Sequence, residues 1–303
     1  MLQNVFFTWE VQRALPLAVN VSFNVFVALS TDSQAISGSE VKLNGTIDFG
    51  DGTFLNNFTG IVQYGSDATV TVLAINNLYH TYARDQDGMP PVSVSVIQCC
   101  RARSNQNNGG SLSALESMLD LDYVGQSPVA GVLSQIHFGQ SADSSVFIPV
   151  FSDGNPLNFR LATALEYGGS VLGSPNALSI DRSTGLISWD TRGVTAGEWH
   201  VLVVVEDFIT LVELMVDVVI TVHVSPRPPI PSRALTIVYL KAGEGATSDF
   251  GNSFEASRVQ LVSPLPEGGF VDTSGVLSWS PTFDQLGTHV VCVQYYEDNF
   301  TIP

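Results

Sequence analysis

The chain has 303 residues, enough for two or three domains that each bury their own core. Apolar residues make up 45% and exclude a disordered chain, while 12 basic against 29 acidic residues leave a net charge of −17. With Lys42 and Lys241 its only lysines, such a surface repels phosphate backbones and anionic membranes, so nucleic acid is excluded as a partner.

The first segment alternates Val5, Phe7, Trp9 and Val11 with Phe6, Thr8, Glu10 and Gln12. This period of two predicts a leading strand over 1–15, with no evident place in the domain that follows. Glu10 and Arg13 interrupt the apolar character, so no signal peptide is read at this start. Over 19–27 apolar residues take every odd position, which puts Asn20, Ser22 and Asn24 on the opposite, outward face of a strand. Residues 47–53, IDFGDGT, form a glycine-rich corner with Asp48 and Asp51 three apart. Residues 68–74 and 91–96 are again β-rich, 105–110 (NQNNGG) reads as a flexible linker, and 112–119 as a short helix within a linker spanning 105–127. Further strands are expected over 199–205 and 212–224, and a stiff spacer over 226–231 (PRPPIP). The longest apolar run, 201–205, is far too short to span a membrane.

An internal repeat sets the domain count. Residues 181–207 and 272–298 share one frame, in which a Gly is followed four residues later by Trp and eight residues after that by another Gly. The two tryptophans, Trp189 and Trp279, lie 90 residues apart, about one small sandwich. The expectation is an all-β chain of tandem immunoglobulin-like sandwiches over 16–104, 128–225 and 226–303. The last copy ends after Glu297-Asp298 with only five further residues and so lacks its final strand.

The two frames resemble the cadherin-like repeats, of the He_PIG type, found in modular surface proteins; the proline that follows the tryptophan in that family is Pro281 in the second copy and is replaced by Asp190-Thr191 in the first. Residues 16–103 resemble a PKD domain, through DFGDGT at 48–53 and the later His80-Thr81-Tyr82. These resemblances imply modular extracellular architecture and no catalysis.

Three readings of the Asp48–Asp51 pair follow from its chemistry. Short carboxylates in a glycine turn accept backbone N–H bonds. Calcium needs six or more oxygens, which Asp48, Asp51, Asp85 and Asp87 would supply only if their two loops met. A catalytic pair lacks a nucleophile or base at a readable spacing. His80, His137, His200, His223 and His289 show no metal-ligand spacing, and His200 and His289, at equivalent repeat positions, read as structural. Trp189 and Trp279 read as core residues rather than sugar platforms. No cofactor motif is present, and the chain reads as non-enzymatic.

Four Asn-X-Ser/Thr sequons, at Asn20, Asn44, Asn57 and Asn299, point to N-linked glycans and a secreted or cell-surface protein. Cys99, Cys100 and Cys292 are an odd set, open to one long-range disulfide or a vicinal one. An unplaced leading strand and a deficient last sandwich suggest head-to-tail strand addition into a homopolymer, hence a fibre or coat subunit. The alternative is an adhesin or an accessory glycan-binding module.

Overall fold

The structure, a computed structural model, describes residues 2–15, 18–30, 38–66, 70–83, 91–98, 106–107, 113–122, 125, 127–131, 136–141, 144–152, 155–163, 166, 175–210, 212–224, 240–249, 258–261, 265–266, 268–272, 275–285, 289, 291 and 293–296. These residues are almost wholly β-strand, in mostly antiparallel sheets, with no α-helix among them, as the alternating pattern predicts.

The first unit holds nine strands: β1 (Leu2–Leu15), β2 (Ala18–Ser30), β3 (Glu40–Lys42), β4 (Gly45–Asp48), β5 (Phe54–Asn56), β6 (Thr59–Ser66), β7 (Val70–Ala83), β8 (Val92–Gln98) and β9 (Ser113–Leu119). They form a five-stranded sheet, β1-β2-β7-β6-β3, and a four-stranded sheet, β5-β4-β8-β9. Val19, Val21, Phe23, Val25 and Val27 on β2 share one core with Ile47 on β4 and Val92, Val94 and Val96 on β8. Each such side chain contributes roughly 1.5–3 kcal/mol through burial.

Three expectations are corrected here. The leading strand has a home: β1 pairs with β2 from Leu2↔Leu29 to Leu15↔Ala18 and sends Trp9 and Val11 into the core. A boundary at residue 16 cuts this long hairpin in half. The helix expected over 112–119 gives way to a strand over its described residues, 113–119: β9 pairs with β8 from Val92↔Leu119 to Gln98↔Ser113. Leu115 and Leu119 suit either period, and the edge of β8, which would otherwise lie open, selects the strand. The outward face of β2 is not bare either, since Ser22 is buried, as is Thr8 on β1, which pairs with Asn24.

The second unit comprises β10 (Val129–Ala130), β11 (Ile136–Gly139), β12 (Ser144–Phe147), β13 (Val150–Phe151), β14 (Leu157–Leu161), β15 (Leu178–Ile180), β16 (Leu186–Trp189), β17 (Gly197–Asp207) and β18 (Glu213–His223). Its main sheet is β11-β18-β17-β14, with β11 parallel to β18, and it faces the three-stranded sheet β12-β16-β15.

The β17–β18 hairpin is apolar on both faces. Val201, Val203, Val205, Leu214, Val216, Val218, Ile220 and Val222 line the second unit's own core. Leu202, Val204 and Met215 point the other way and belong to the core of the first unit, with Trp9, Leu115 and Leu119. The first sandwich is open on the side between its edge strands β1 and β9, and this hairpin closes it. A near-continuous apolar run is what a strand buried on both faces requires.

The expected linker is therefore structural. Within 105–127, β9 completes a sheet, and the Ser117 hydroxyl donates to the Glu213 carbonyl. Gly125 and Ser127 lie along β1, with Val11 N donating to Gly125 O at 2.9 Å and Ser127 N to Trp9 O at 2.8 Å. Gln106 N donates to Glu198 O at 2.8 Å, and the Asn107 side chain makes a two-way bond with the backbone of His200. The linker residues thus occupy the part of the β17 edge that β14 leaves uncovered.

The third unit contributes β19 (Ala246–Asp249), β20 (Arg258–Leu261), β21 (Phe270–Val271), β22 (Val276–Trp279) and β23 (Val293–Tyr296), in the sheets β19-β22-β21 and β20-β23. The expected missing last strand and the 226–231 spacer lie outside the described residues.

Candidate functional site

The two motifs that suggested a PKD domain meet at one corner. β4 ends at Asp48 and the chain turns back into β5, with Phe49 N donating to Thr53 O at 3.1 Å. Gly50 and Gly52 take φ of +78° and +88°, which permit the turn. Asp48 Oδ1 accepts from Gly50 N at 2.8 Å. Asp51 Oδ1 accepts from the Thr53 amide at 3.0 Å and the Thr53 hydroxyl at 2.6 Å. Asp51 Oδ2 accepts from His80 Nε2 on β7 at 2.8 Å. The His80 ring stacks on Phe49 with centroids 4.1 Å apart, and the Tyr82 hydroxyl donates to the Phe49 carbonyl at 3.0 Å.

The electrostatics follow from these bonds. Burial alone raises the Asp51 carboxyl; the hydrogen bonds from Thr53 and His80 outweigh it and hold the group below the ordinary carboxylate range. Burial pushes the Tyr82 phenol well up, as do the nearby Asp51 and Asp48 charges. His80 spends Nε2 on Asp51, and the Thr53 hydroxyl donates to the same carboxylate, so this trio lacks the nucleophile–base–orienter order of an acyl-transfer site. The arrangement fastens β4, β5 and β7 together. It supports the turn reading of Asp48 and Asp51; Asp85 and Asp87 lie outside the described residues. Among the described residues no three His, Cys, Asp or Glu side chains converge as metal ligands.

The remaining histidines are paired in ways the sequence reading missed. His200 Nδ1 lies 3.2 Å from Asp217 Oδ1, and both side chains are fully buried on the hairpin face that covers the first sandwich. The hairpin register was the available signal: Leu202 pairs with Asp217, so His200 lies diagonally across the same face. His137 Nδ1 lies 2.8 Å from His223 Nε2, where β11 runs beside β18. Burial, then the charge of His223, pushes His137 down to about 3, and burial lowers His223 as well. The parallel pairing that joins these two leaves no local trace in sequence. His289 Nε2 donates to a different class of partner, the Gln285 carbonyl, at 3.0 Å, and the ring packs edge-on to Trp279.

At the tip of the β17–β18 hairpin, Asp207 is buried and takes up four donors: the amides of Ile209 and Thr210, and the side chains of Asn155 and Ser152. Phe208 and Ile209 are thereby displayed at 65% and 66% exposure. Trp189 is core, as expected, with its indole N–H on the Asn176 carbonyl; Trp279 is half-buried.

Of the sequons, Asn44 and Asn57 are exposed. Asn20 is half-buried in mid-strand, and its Oδ1 accepts from the Thr81 hydroxyl at 2.8 Å. Asn299 and the three cysteines, Cys99, Cys100 and Cys292, lie outside the described residues. No helix among the described residues is long and apolar enough to cross a membrane. Comparison with known protein families, with curated proteins and with solved structures finds no match.

Proposed function

We propose that this chain is a non-enzymatic structural segment of an extracellular glycoprotein fibre or surface coat, built as a PKD-like sandwich followed by two cadherin-like sandwiches. The observation that carries the reading is the β17–β18 hairpin, which serves two cores at once. Modules that share a doubly buried hairpin cannot swing on a linker, and a stiff multi-sandwich rod suits a load-bearing or spacing role. The low charge and the corner at Asp51, whose polar groups are turned inward onto one another, fit the same role. β1 is not available as a donated strand, because it is already paired with β2 and bordered by Gly125 and Ser127.

Electron microscopy of material purified from its source tests the proposal. Ordered filaments or sheets support it. Dispersed single particles at every concentration sink self-assembly.

A second reading, a binding module, draws on the hairpin tip, where a locked turn presents Phe208 and Ile209 to solvent. Rigid, exposed apolar pairs of this kind serve as contact anchors. Monomeric particles that bind a surface saturably, with binding lost in Phe208→Ser, would place this reading first.

A further inference from the structure

The first sandwich has two lateral sides, and they are treated differently. On one side, the edge strands β1 and β9 are closed by Gly125 and Ser127 and by the β17–β18 hairpin. Among the described residues the opposite side ends in β3 and β5, three residues each, and Phe54 on β5 is 58% exposed. Bare sheet edges invite pairing with another chain.

Two crossovers join the sheets on that open side. Residues 43–44 lead from β3 to β4, and residues 57–58 lead from β5 to β6. They run side by side, tied by Leu43 N donating to Phe58 O at 2.8 Å and Asn57 N donating to Gly45 O at 3.0 Å. Each buries one apolar side chain, Leu43 and Phe58, and each turns one asparagine, Asn44 and Asn57, to solvent. Both asparagines head sequons, completed by Thr46 and Thr59. Asn57 holds φ of +56°, a left-handed conformation that asparagine tolerates and that lifts its side chain away from the sheet.

We propose that Asn44 and Asn57 carry a pair of N-linked glycans that cover the β3–β5 side of the first sandwich and keep it from pairing edge to edge. The proposal rests on the extracellular reading, since only a chain passing through the secretory route meets the modifying enzyme. A bulky, hydrated glycan at each crossover excludes a second backbone from both edges at once. Association of the assembled protein is then confined to other surfaces. The closed side needs no such cover, because protein already supplies it.

The test uses the full chain secreted from a eukaryotic host. Glycopeptide mass spectrometry reads occupancy, and light scattering over a concentration series reads association. The comparison is Asn44→Gln with Thr59→Ala, the second chosen because Gln at position 57 would be strained by the left-handed φ. Enzymatic release of glycans from the folded wild-type protein gives a second route should the variant fail to secrete. The expected result is occupancy at both asparagines and, after glycan loss, a rise in weight-average mass of about twofold or more, as for dimers or longer edge-paired species. An empty Asn44 or Asn57, or an unchanged mass after glycan loss, overturns the proposal. Forced secretion separates this from the broader reading. Occupied sites with unchanged association sink the shielding role alone. Edge-dependent association in a protein whose native form lies inside the cell and carries no glycan sinks the extracellular reading instead.

Discussion

The two copies of the Gly–Trp–Gly repeat share their local geometry and differ in what surrounds it. Gly185 and Gly275 both take positive φ, and the Asp181 and Asp272 amides both donate across the turn, to the carbonyls of Leu186 and Val276. Both tryptophans end a strand of four residues. Beyond that the copies part. Trp189 is 2% exposed and Trp279 half-buried, while His200 is locked to Asp217 and His289 sits on the Gln285 carbonyl. Turn chemistry is set by neighbours in sequence and recurs with it. The fate of a strand position is set by whatever packs on its face, which the repeat does not encode.

The sharpest way to break this comparison is to remove the two equivalent histidines. His200→Ala takes the imidazole from a fully buried carboxylate and is expected to cost about 3–5 kcal/mol. His289→Ala, at an exposed contact, is expected to cost less than about 1 kcal/mol. Urea denaturation of both variants checks this. Equal costs would show that the repeat position itself, not the packing, dictates the role.

A core truncation comes next. Leu202→Ala is expected to destabilise by about 2–5 kcal/mol. Because Leu202 belongs to the first sandwich's core while its strand neighbours Val201 and Val203 fill the second, one substitution should lower the unfolding of both together. Fluorescence of Trp9 and Trp189, each isolated by replacing the other tryptophans with Phe, reports the two units separately. Transitions that separate, with only the second one shifted, would mean the sandwiches are independent.

These effects mark the limit of what could be read from sequence. The strands of 19–27 and 91–96 were legible because one face is apolar and the other mostly polar, which writes a period of two. The 201–205 run carried a further message, burial on both faces, but a span of five apolar residues also suits an ordinary core strand. Residues 113–119 were misread because Leu115 and Leu119, four apart, fit a helix as well as a strand, and only the distant β8 decides. The turn role of Asp48 and Asp51 was legible from the glycines around them, but the bond from Asp51 to His80 was not, because it spans 29 positions. The His137–His223 contact was not, because a parallel pairing between strands 86 positions apart leaves no mark near either residue.

That histidine pair gives a pH test. Burial holds the folded pKa of His137 near 3, below its ordinary 6.5, and lowers His223 too. Between those values the unfolded chain binds protons that the folded chain refuses. Stability is therefore full above about pH 6.5 and falls as pH drops, by about 1.4 kcal/mol per pH unit for His137, with His223 adding in the same direction. The carboxylates held low, Asp51 and Asp207, add their loss only below about pH 4. Unfolding free energies at pH 7, 6 and 5 should show this slope, and His137→Leu should flatten it. An unchanged slope in the variant would place the acid sensitivity elsewhere.

The smallest effect repeats the lesson within one corner. Gly50 and Gly52 share a positive φ, so local chemistry treats them alike, and an alanine at either is strained by about 1 kcal/mol. Their surroundings differ. A Cβ at Gly52 meets nothing within 4 Å, whereas one at Gly50 would lie 2.2 Å from the Ser93 carbonyl oxygen and 2.6 Å from Val92 Cγ1 on β8. Gly52→Ala should therefore cost only that strain, and Gly50→Ala clearly more, because β8 must move and with it the sheet that β9 completes. Thermal midpoints of the two variants decide it. If they coincide, the corner does not press on β8, and Gly50 is required there for its backbone conformation alone.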